Sequence, residues 1–188
     1  MIYLASTSPR RKKILKDLGV RFKILKPAYV EKNIPGAGPV KLVRIHALGK
    51  ALSASRLIAD GKILSADTVV YFKKKIIGKP KNMKNAFDIL MSLQGQWHEV
   101  YTGMVLLEML AGKIKRRVVM VEKTKVLLLP MSRKEINLYF KKVNPLDKAG
   151  AYAIQVKKGG IVREVSGSFS NAVGLPVERL KKINRLIK

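Results

Sequence analysis

The sequence predicts an α/β protein built around a mixed β-sheet. Apolar residues make up 47% of the 188 residues, which is enough for a core and argues against disorder. Helical and extended patterns alternate along the chain, and two long β-rich stretches at 97–110 and 114–129 are separated by a short turn at Ala111-Gly112. A hairpin of this kind requires antiparallel pairing, so the sheet should combine parallel and antiparallel strands. The length predicts a single domain over residues 1–188, with one or two lobes.

The elements of the first third of the chain follow from apolar runs and from residues that start or stop helices. Residues 2–5 are apolar and predict a short buried strand. Ser8 suits the N-cap and Pro9 the first helical position, so we expect a helix over residues 10–18 that Gly19 ends. The other elements expected here are a strand at 22–25, a loop at 33–39 and a helix from Pro39 to about Ala59.

The remaining two thirds continue the alternation of helices and strands. Ser132 is a good N-cap, and Glu135 three residues later completes a capping box for a helix that runs to Lys142. The other elements expected are, in order, a strand at 63–71, a tight turn at 73–75, a returning strand at 76–77, a helix at 84–93, a loop at 144–150, short strands at 151–156 and 161–165, and an amphipathic helix at 177–187.

The chain is strongly basic. It has 39 Lys and Arg residues against 12 Asp and Glu residues, which gives a formal net charge of +27. The cations are spread along the sequence, and no helix-turn-helix, zinc-finger or RNA-binding strand pattern organises them. A solvated lysine coat of this kind attracts polyanions non-specifically, and the same field serves a small polyanionic substrate. The charge therefore favours anionic partners without choosing among them.

Residue counts exclude several classes of site. The absence of cysteine removes disulfides, thiol nucleophiles and zinc–thiolate sites, and two histidines are too few for a multi-histidine metal site. His46 falls in a helix and His98 beside Trp97 in a strand, and we expect both to be structural. Any metal should be a hard cation held by Asp, Glu and substrate oxygens. With no signal-peptide pattern and no apolar run long enough to span a membrane, we expect a soluble cytoplasmic protein.

The first candidate site is the turn between the first strand and the first helix. Backbone N–H groups at a helix start bind anions, and this turn adds the hydroxyls of Ser6, Thr7 and Ser8 and the guanidinium groups of Arg10 and Arg11. An ordinary N-capped surface helix explains the same pattern equally well.

The second candidate is Asp67, which interrupts the apolar strand 63–71. A buried carboxylate without a partner costs several kcal/mol, so Asp67 must lie near a cation, accept several hydrogen bonds or face a cleft. Because acidic residues are scarce in this chain, the placement favours a functional role over a turn-forming aspartate.

Three further polar residues have unusual surroundings. Lys50 lies in a small-residue helix segment and Lys79 in Gly78-Lys79-Pro80, where either side chain would reach a phosphate as a point charge, although a surface lysine is the simpler reading. Gln155 is expected at a strand end, where its amide would read a nucleobase edge or merely stabilise a loop.

At these residues the sequence closely resembles the Maf family of nucleoside triphosphate pyrophosphatases. Six blocks match in the family's order and extend over nearly the whole chain. They are Leu4-Ala-Ser-Thr-Ser-Pro-Arg-Arg11, Ala66-Asp-Thr-Val-Val70, Gly78-Lys-Pro80, Leu93-Gln-Gly-Gln-Trp-His98 with Tyr101-Thr-Gly103, Leu146-Asp-Lys-Ala-Gly-Ala-Tyr152 with Ile154-Gln155, and Val173-Gly-Leu-Pro176.

The resemblance implies an elongated mixed sheet flanked by helices, two lobes with a cleft between them, a fold shared with inosine triphosphatases, and often a homodimer. It implies hydrolysis of a nucleoside triphosphate to the monophosphate and pyrophosphate with Mg²⁺ or Mn²⁺. Asp67 looks like the catalytic base, and with Glu31 it would hold the metal and its water in line with the α-phosphorus. The matches to the family's phosphate-handling set are Ser8, Arg11, Lys50 and Lys79. The matches to the branch that prefers thymidine and uridine triphosphates are Arg10, Thr68 and Gln155.

One departure from the family pattern keeps other interpretations open. The family commonly has two acidic residues before the first long loop, and here Val30 stands in place of the first. Loss of that carboxylate either weakens metal binding or changes nothing, depending on whether it holds metal or only shapes the loop. A catalytically weak, nucleic-acid-associated or division-regulating protein on the same fold is the main alternative, and a pyrophosphatase for modified nucleotides is another.

Overall fold

The computed structural model describes residues 1–32, 34–156 and 159–183. The strands are β1 (Ile2–Leu4), β2 (Phe22–Ile24), β3 (Gly61–Phe72), β4 (Lys75–Ile77), β5 (Trp97–Leu110), β6 (Lys113–Leu128) and β7 (Val162–Ser166). The helices are α1 (Pro9–Asp17), α2 (Pro39–Ser55), α3 (Met83–Leu93), α4 (Arg133–Lys142), α5 (Phe169–Val173) and α6 (Val177–Lys182), with a 3₁₀ turn at Ala149–Ala151.

All seven strands belong to one sheet, with the order β2-β1-β3-β5-β6-β7 and β4 paired to β3. Strand β1 is parallel to β2 and β3, and the other pairs are antiparallel, so the predicted mixed sheet is confirmed. The β5–β6 hairpin turns at Ala111 and Gly112, as predicted. Both residues have positive φ angles, which is typical of tight hairpin turns.

One edge of β3 is interrupted in the middle of the strand. Strand β5 occupies the opposite edge over residues 61–71. On the interrupted edge, β1 pairs with residues 62–64 and β4 pairs with residues 70–72. No described strand covers residues 65–69 on that edge. The chain leaving the carboxyl end of β1 turns into α1 beside this gap, which therefore becomes the floor of a cleft.

The hydrophobic core divides into two lobes along the long strands. At one end the sheet is sandwiched between α1 and α6 on one face and α2 on the other, with Leu15 and Leu64 in the first layer and Ala47 and Ile63 in the second. At the other end α3 and α4 pack on a single face in a separate cluster. Strands β3, β5 and β6 run through both lobes, so they fix the walls of the cleft relative to each other.

Three details differ from the sequence-based expectations. Residues 151–156 are not a strand, because Gly150 and Ala151 both adopt positive φ and the Ala153 amide donates to Tyr139 Oη instead of to a neighbouring strand. Helix α2 ends at Ser55, four residues earlier than expected, and the short helix α5 was not expected.

The ends of two predicted elements are not described. Asn33, at the start of the predicted loop 33–39, and residues 184–187 of the predicted C-terminal helix lie outside the described residues. None of the helices in the described part of the chain combines the length and apolar character that a membrane crossing requires.

Candidate active site

Strand β3 places Asp67 at the centre of its uncovered edge. The residue is 6% exposed and lines the cleft, with Thr68 next to it. Asp67 is in register with Gly103 on β5, and helix α2 crosses β5 at that point, so closely that a Cβ on Gly103 would lie 2.3 Å from the Val43 carbonyl oxygen. The missing side chain at Gly103 therefore lets α2 lie directly against the part of the sheet that carries Asp67.

Helix α2 supplies the cation that a buried carboxylate requires. Lys50 is buried, and its Nζ lies 2.6 Å from Asp67 Oδ1 and also 2.6 Å from Glu31 Oε1. Burial disfavours the ionised form of Glu31, but the hydrogen bond and charge of Lys50, with a further contribution from Lys79, outweigh this effect and lower the pKa of Glu31. Lys50 thus bridges both carboxylates, whereas the sequence had placed it with the phosphate-binding residues.

The segment that carries Glu31 is anchored by an aromatic side chain that the sequence analysis did not single out. The Tyr29 ring packs where a side chain at Gly49 would be, and its hydroxyl is 2.9 Å from His46 Nδ1. His46 and Lys50 are four residues apart on one helical face, and that spacing is the sequence signal that could have placed the histidine at the cleft. His46 lies in a helix and His98 in a strand, as predicted.

Arg11 is the second buried cation of the site. Its Nε donates to the Gly174 carbonyl at 2.8 Å, Nη1 to Ser6 Oγ at 3.2 Å and Nη2 to Thr68 Oγ1 at 3.0 Å. Thr68 Oγ1 in turn lies 3.0 Å from Thr102 Oγ1. Burial lowers the pKa of Arg11, Arg10 adds to that effect, and Asp67 and Glu31 oppose it. Three separate segments therefore fix the guanidinium in one orientation.

The start of α1 lies beside these groups. Ser8 is the N-cap residue, as predicted, but its side chain makes no capping hydrogen bond. Its backbone N–H donates to Ser6 Oγ at 3.2 Å. The Ser8 hydroxyl and the first-turn N–H groups of α1 therefore face the cleft without the usual side-chain cap, an arrangement that suits an anion.

The second lobe contributes a wall of polar groups. Arg10 Nη1 donates to Asp147 Oδ2 at 2.8 Å and Nη2 donates to the Asp147 carbonyl at 3.0 Å, so the two lobes are joined across the cleft. Gln155 lies on an exposed turn, not at the strand end that the sequence predicted, but it still lines the cleft. Lys79 follows β4 and also lines it.

The cleft has a volume of about 920 Å³ and contains every site residue that the sequence predicted. Among the described residues, three carboxylates line it, those of Glu31, Asp67 and Asp147. The same part of the chain contributes eight cationic side chains, those of Arg10, Arg11, Lys26, Lys32, Lys50, Lys79, Lys81 and Lys148. This excess of positive charge around a deep carboxylate matches a polyanion of nucleotide size.

The donor set is compatible with a divalent metal that arrives on a ligand. Among the described residues there is no group of three or more His, Asp or Glu side chains that would hold a metal alone. Glu31 and Asp67 nevertheless converge on one point, and two carboxylates with substrate phosphates are a common ligand set for Mg²⁺. Val30 is 74% exposed and does not line the cleft, so a carboxylate there would add little to this set.

Comparison with known proteins identifies the family. The sequence profile of a family described as "Maf-like protein" matches residues 1–186. The dTTP/UTP pyrophosphatase of Carboxydothermus hydrogenoformans is 42% identical over 95% of this chain and 94% of its own length. The protein of the same name from Methanosarcina barkeri is 39% identical over 97% and 91%.

A solved structure supports the fold. The Ham1 protein of Staphylococcus aureus aligns with a TM-score of 0.54 over 98% of this chain and 97% of that one, at 13% identity. This likeness concerns the fold alone, and it agrees with the α/β architecture expected from the sequence. The profile match and the full-length relatives show that the chain belongs to the Maf-like protein family.

Proposed function

We propose that this protein is a nucleoside triphosphate pyrophosphatase that hydrolyses dTTP and UTP to the monophosphate and pyrophosphate. The observation that carries the proposal is Asp67, a carboxylate on an uncovered strand edge in a cleft ringed by cations. The names of relatives about 40% identical over nearly the whole chain agree with this activity.

The cations would bind the triphosphate and stabilise its leaving group. Phosphoryl transfer depends mostly on positioning and on offsetting the charge that develops on the departing oxygens. Arg11, Lys79, Ser8 and the N-terminal turn of α1 would hold the β- and γ-phosphates. Arg11 suits this task because its orientation is fixed before the substrate arrives.

The carboxylates would activate water for attack on the α-phosphorus. The water oxygen forms the new bond to phosphorus, the bond to the α–β bridging oxygen breaks, and Asp67 takes the proton from the water. Asp67 and Glu31 would also hold Mg²⁺ or Mn²⁺, which when bound supplies positive charge to the phosphates and to the water. Pyrophosphate leaves with the bridging oxygen.

The nucleobase of the substrate would lie toward the second lobe. We propose that its identity is read by three residues that line the cleft, which set the preference for pyrimidine nucleotides: Arg10, Thr68 and Gln155. Thr68 would act in part through Arg11, since its hydroxyl accepts a hydrogen bond from that guanidinium.

We further propose that residues 1–188 form one domain and that the protein is a cytoplasmic homodimer. Both proposals rest on the family resemblance.

A second function is favoured by one observation, the net charge of +27. A catalytically weak protein that associates with nucleic acid on the same fold would show tight, salt-sensitive binding of oligonucleotides without turnover.

A panel of normal and modified nucleoside triphosphates, assayed with Mg²⁺ and with Mn²⁺, tests the proposal. Chromatography should show monophosphate and pyrophosphate as products, with dTTP and UTP turned over fastest. Diphosphate and orthophosphate would instead indicate a phosphatase that removes the terminal group. Absence of turnover across the panel, together with salt-sensitive oligonucleotide binding, would contradict the enzyme and support the second function.

A further inference from the structure

The Lys50 ammonium lies between the two carboxylates that would hold a divalent cation in the cleft. Its ammonium nitrogen lies 2.6 Å from an oxygen of Glu31 and 2.6 Å from an oxygen of Asp67, and its side chain is 11% exposed. These are the two carboxylates that converge on one point. A metal ion that binds these same two oxygens must therefore displace the ammonium.

The electrostatics of the cleft oppose that displacement by a free metal ion. Lys50 already compensates one negative charge, and seven other cationic side chains of the described residues line the same cavity. A bare divalent ion would meet their repulsion and would leave the displaced ammonium without acceptors. A metal–triphosphate complex differs on both points, because it carries net negative charge and offers phosphate oxygens as new acceptors for the ammonium.

We propose that Lys50 is an internal cation that fills the Glu31–Asp67 site until a metal–triphosphate complex replaces it. This inference rests on the proposed function. The four-carbon stem of lysine lets the ammonium move from carboxylate to phosphate while the backbone of α2 stays in place. Lys50 thus keeps the site filled in the free protein and contacts phosphate in the complex, and the metal enters only with the nucleotide.

The test measures Mn²⁺ binding in the absence of nucleotide, by electron paramagnetic resonance of the free ion. The wild-type protein should bind Mn²⁺ weakly at this site. Lys50→Met, which removes the charge and keeps a similar volume, should bind at least about tenfold more tightly, a change of about 1.4 kcal/mol. The matched control is Lys26→Met, which also removes one cation of the cleft and should show no such gain.

A double variant locates the ion that the single variant gains. Lys50→Met combined with Asp67→Asn should lose the added affinity, because one of the two carboxylates is gone. If the double variant keeps it, Mn²⁺ binds elsewhere and the proposal is overturned. An unchanged affinity in a Lys50→Met protein with a wild-type circular dichroism spectrum would overturn it too.

The wild-type protein alone can test the proposal, even if the variants do not fold. Tight Mn²⁺ binding by the wild-type protein without nucleotide, abolished by competition with Mg²⁺, shows that the ammonium does not block the site. No nucleotide is present in any of these experiments. A failure of the proposed pyrophosphatase activity in the substrate panel is therefore separate from a failure of this inference.

Discussion

Arg11 and Lys50 are both buried cations on the wall of the same cleft, but their surroundings are opposite. Arg11 donates to three neutral acceptors, the hydroxyls of Ser6 and Thr68 and the carbonyl of Gly174. Lys50 instead contacts two carboxylates. Neutral acceptors fix the direction of a cation without cancelling its charge, whereas carboxylates cancel it.

The difference separates two tasks within one positive cleft. The guanidinium is rigid, since three segments hold it, and because its three described acceptors are neutral its charge stays available to an incoming anion. The ammonium is compensated in the free protein and is released only when something else neutralises its carboxylates. The affinity of such a cleft for an anion therefore depends less on how many cations line it than on whether the groups that each cation contacts are neutral or negatively charged.

Removing one of the two carboxylates that contact Lys50 should have the largest effect on activity. Asp67→Asn keeps the volume but cannot take a proton from water, and we expect kcat to fall by about 10²–10⁴-fold. Steady-state kinetics with dTTP at saturating metal measures this. Asp60→Asn is the control, since Asp60 precedes β3 and accepts a hydrogen bond from the Ala111 amide on the surface. Near-normal turnover of Asp67→Asn would remove Asp67 from its role.

Changing Arg11 should weaken both phosphate binding and stabilisation of the leaving group. Arg11→Met removes the charge and the hydrogen bonds that the guanidinium donates to Ser6, Thr68 and Gly174. We expect kcat/KM for dTTP to fall by about 10- to 100-fold, through a higher KM and a lower kcat, as hydrogen bonds to a charged group of about 1.5–3 kcal/mol suggest.

Arg11→Lys sharpens the comparison because it keeps the charge and loses the fork. An intermediate KM would show that charge and orientation both matter. A KM equal to the wild-type value would contradict the importance of the fixed guanidinium. Arg21→Met, on the surface before β2, serves as the control for loss of one positive charge.

His98 is a third buried group, and its burial favours the neutral imidazole. Burial lowers the pKa of His98 to about 4, against a smaller opposing contribution from the backbone of Gln96. Its Nε2 lies 2.7 Å from Tyr152 Oη, and burial raises the pKa of Tyr152, so the phenol stays protonated.

The folded-state pKa of His98 is below the unfolded value, so the unfolded chain binds the proton more readily. The stability linked to His98 is complete above about pH 6.5 and is lost as the pH falls toward 4, by at most about 1.4 kcal/mol per pH unit. Urea denaturation at several pH values should show this loss in the wild-type protein and a shallower dependence in His98→Gln. Parallel curves for the two proteins would contradict the assignment.

The sequence predicts the elements that carry local signals. The β5–β6 hairpin and the capped start of α4 occur at the expected residues because the turn and capping chemistry lies within a few positions. The nine predicted site residues all line the cleft, but the sequence did not predict the salt bridge between Lys50 and Glu31. That contact joins a helix to a loop through side-chain positions that no local pattern encodes.

Two of the errors have different physical reasons. The apolar segment 151–156 fits a strand by composition, but its Ala153 amide donates to the Tyr139 hydroxyl of α4 and not to a neighbouring strand. Helix α5 has only five residues, too few for a periodic pattern, although Ser168 before it and Gly174 after it are typical boundary residues. A tertiary contact thus decided the first segment, and short length hid the second.

The interrupted edge of β3 has a further consequence for solubility. Unpaired strand edges in the middle of a sheet invite the edge of another molecule and so promote aggregation. Among the described residues, β1 and β4 leave only 65–69 of this edge uncovered, and the positive side chains around the gap oppose the approach of another basic strand at this point. The uncovered segment of β3 is thus long enough to contact a small ligand, but too short and too strongly charged to pair with a strand of another molecule.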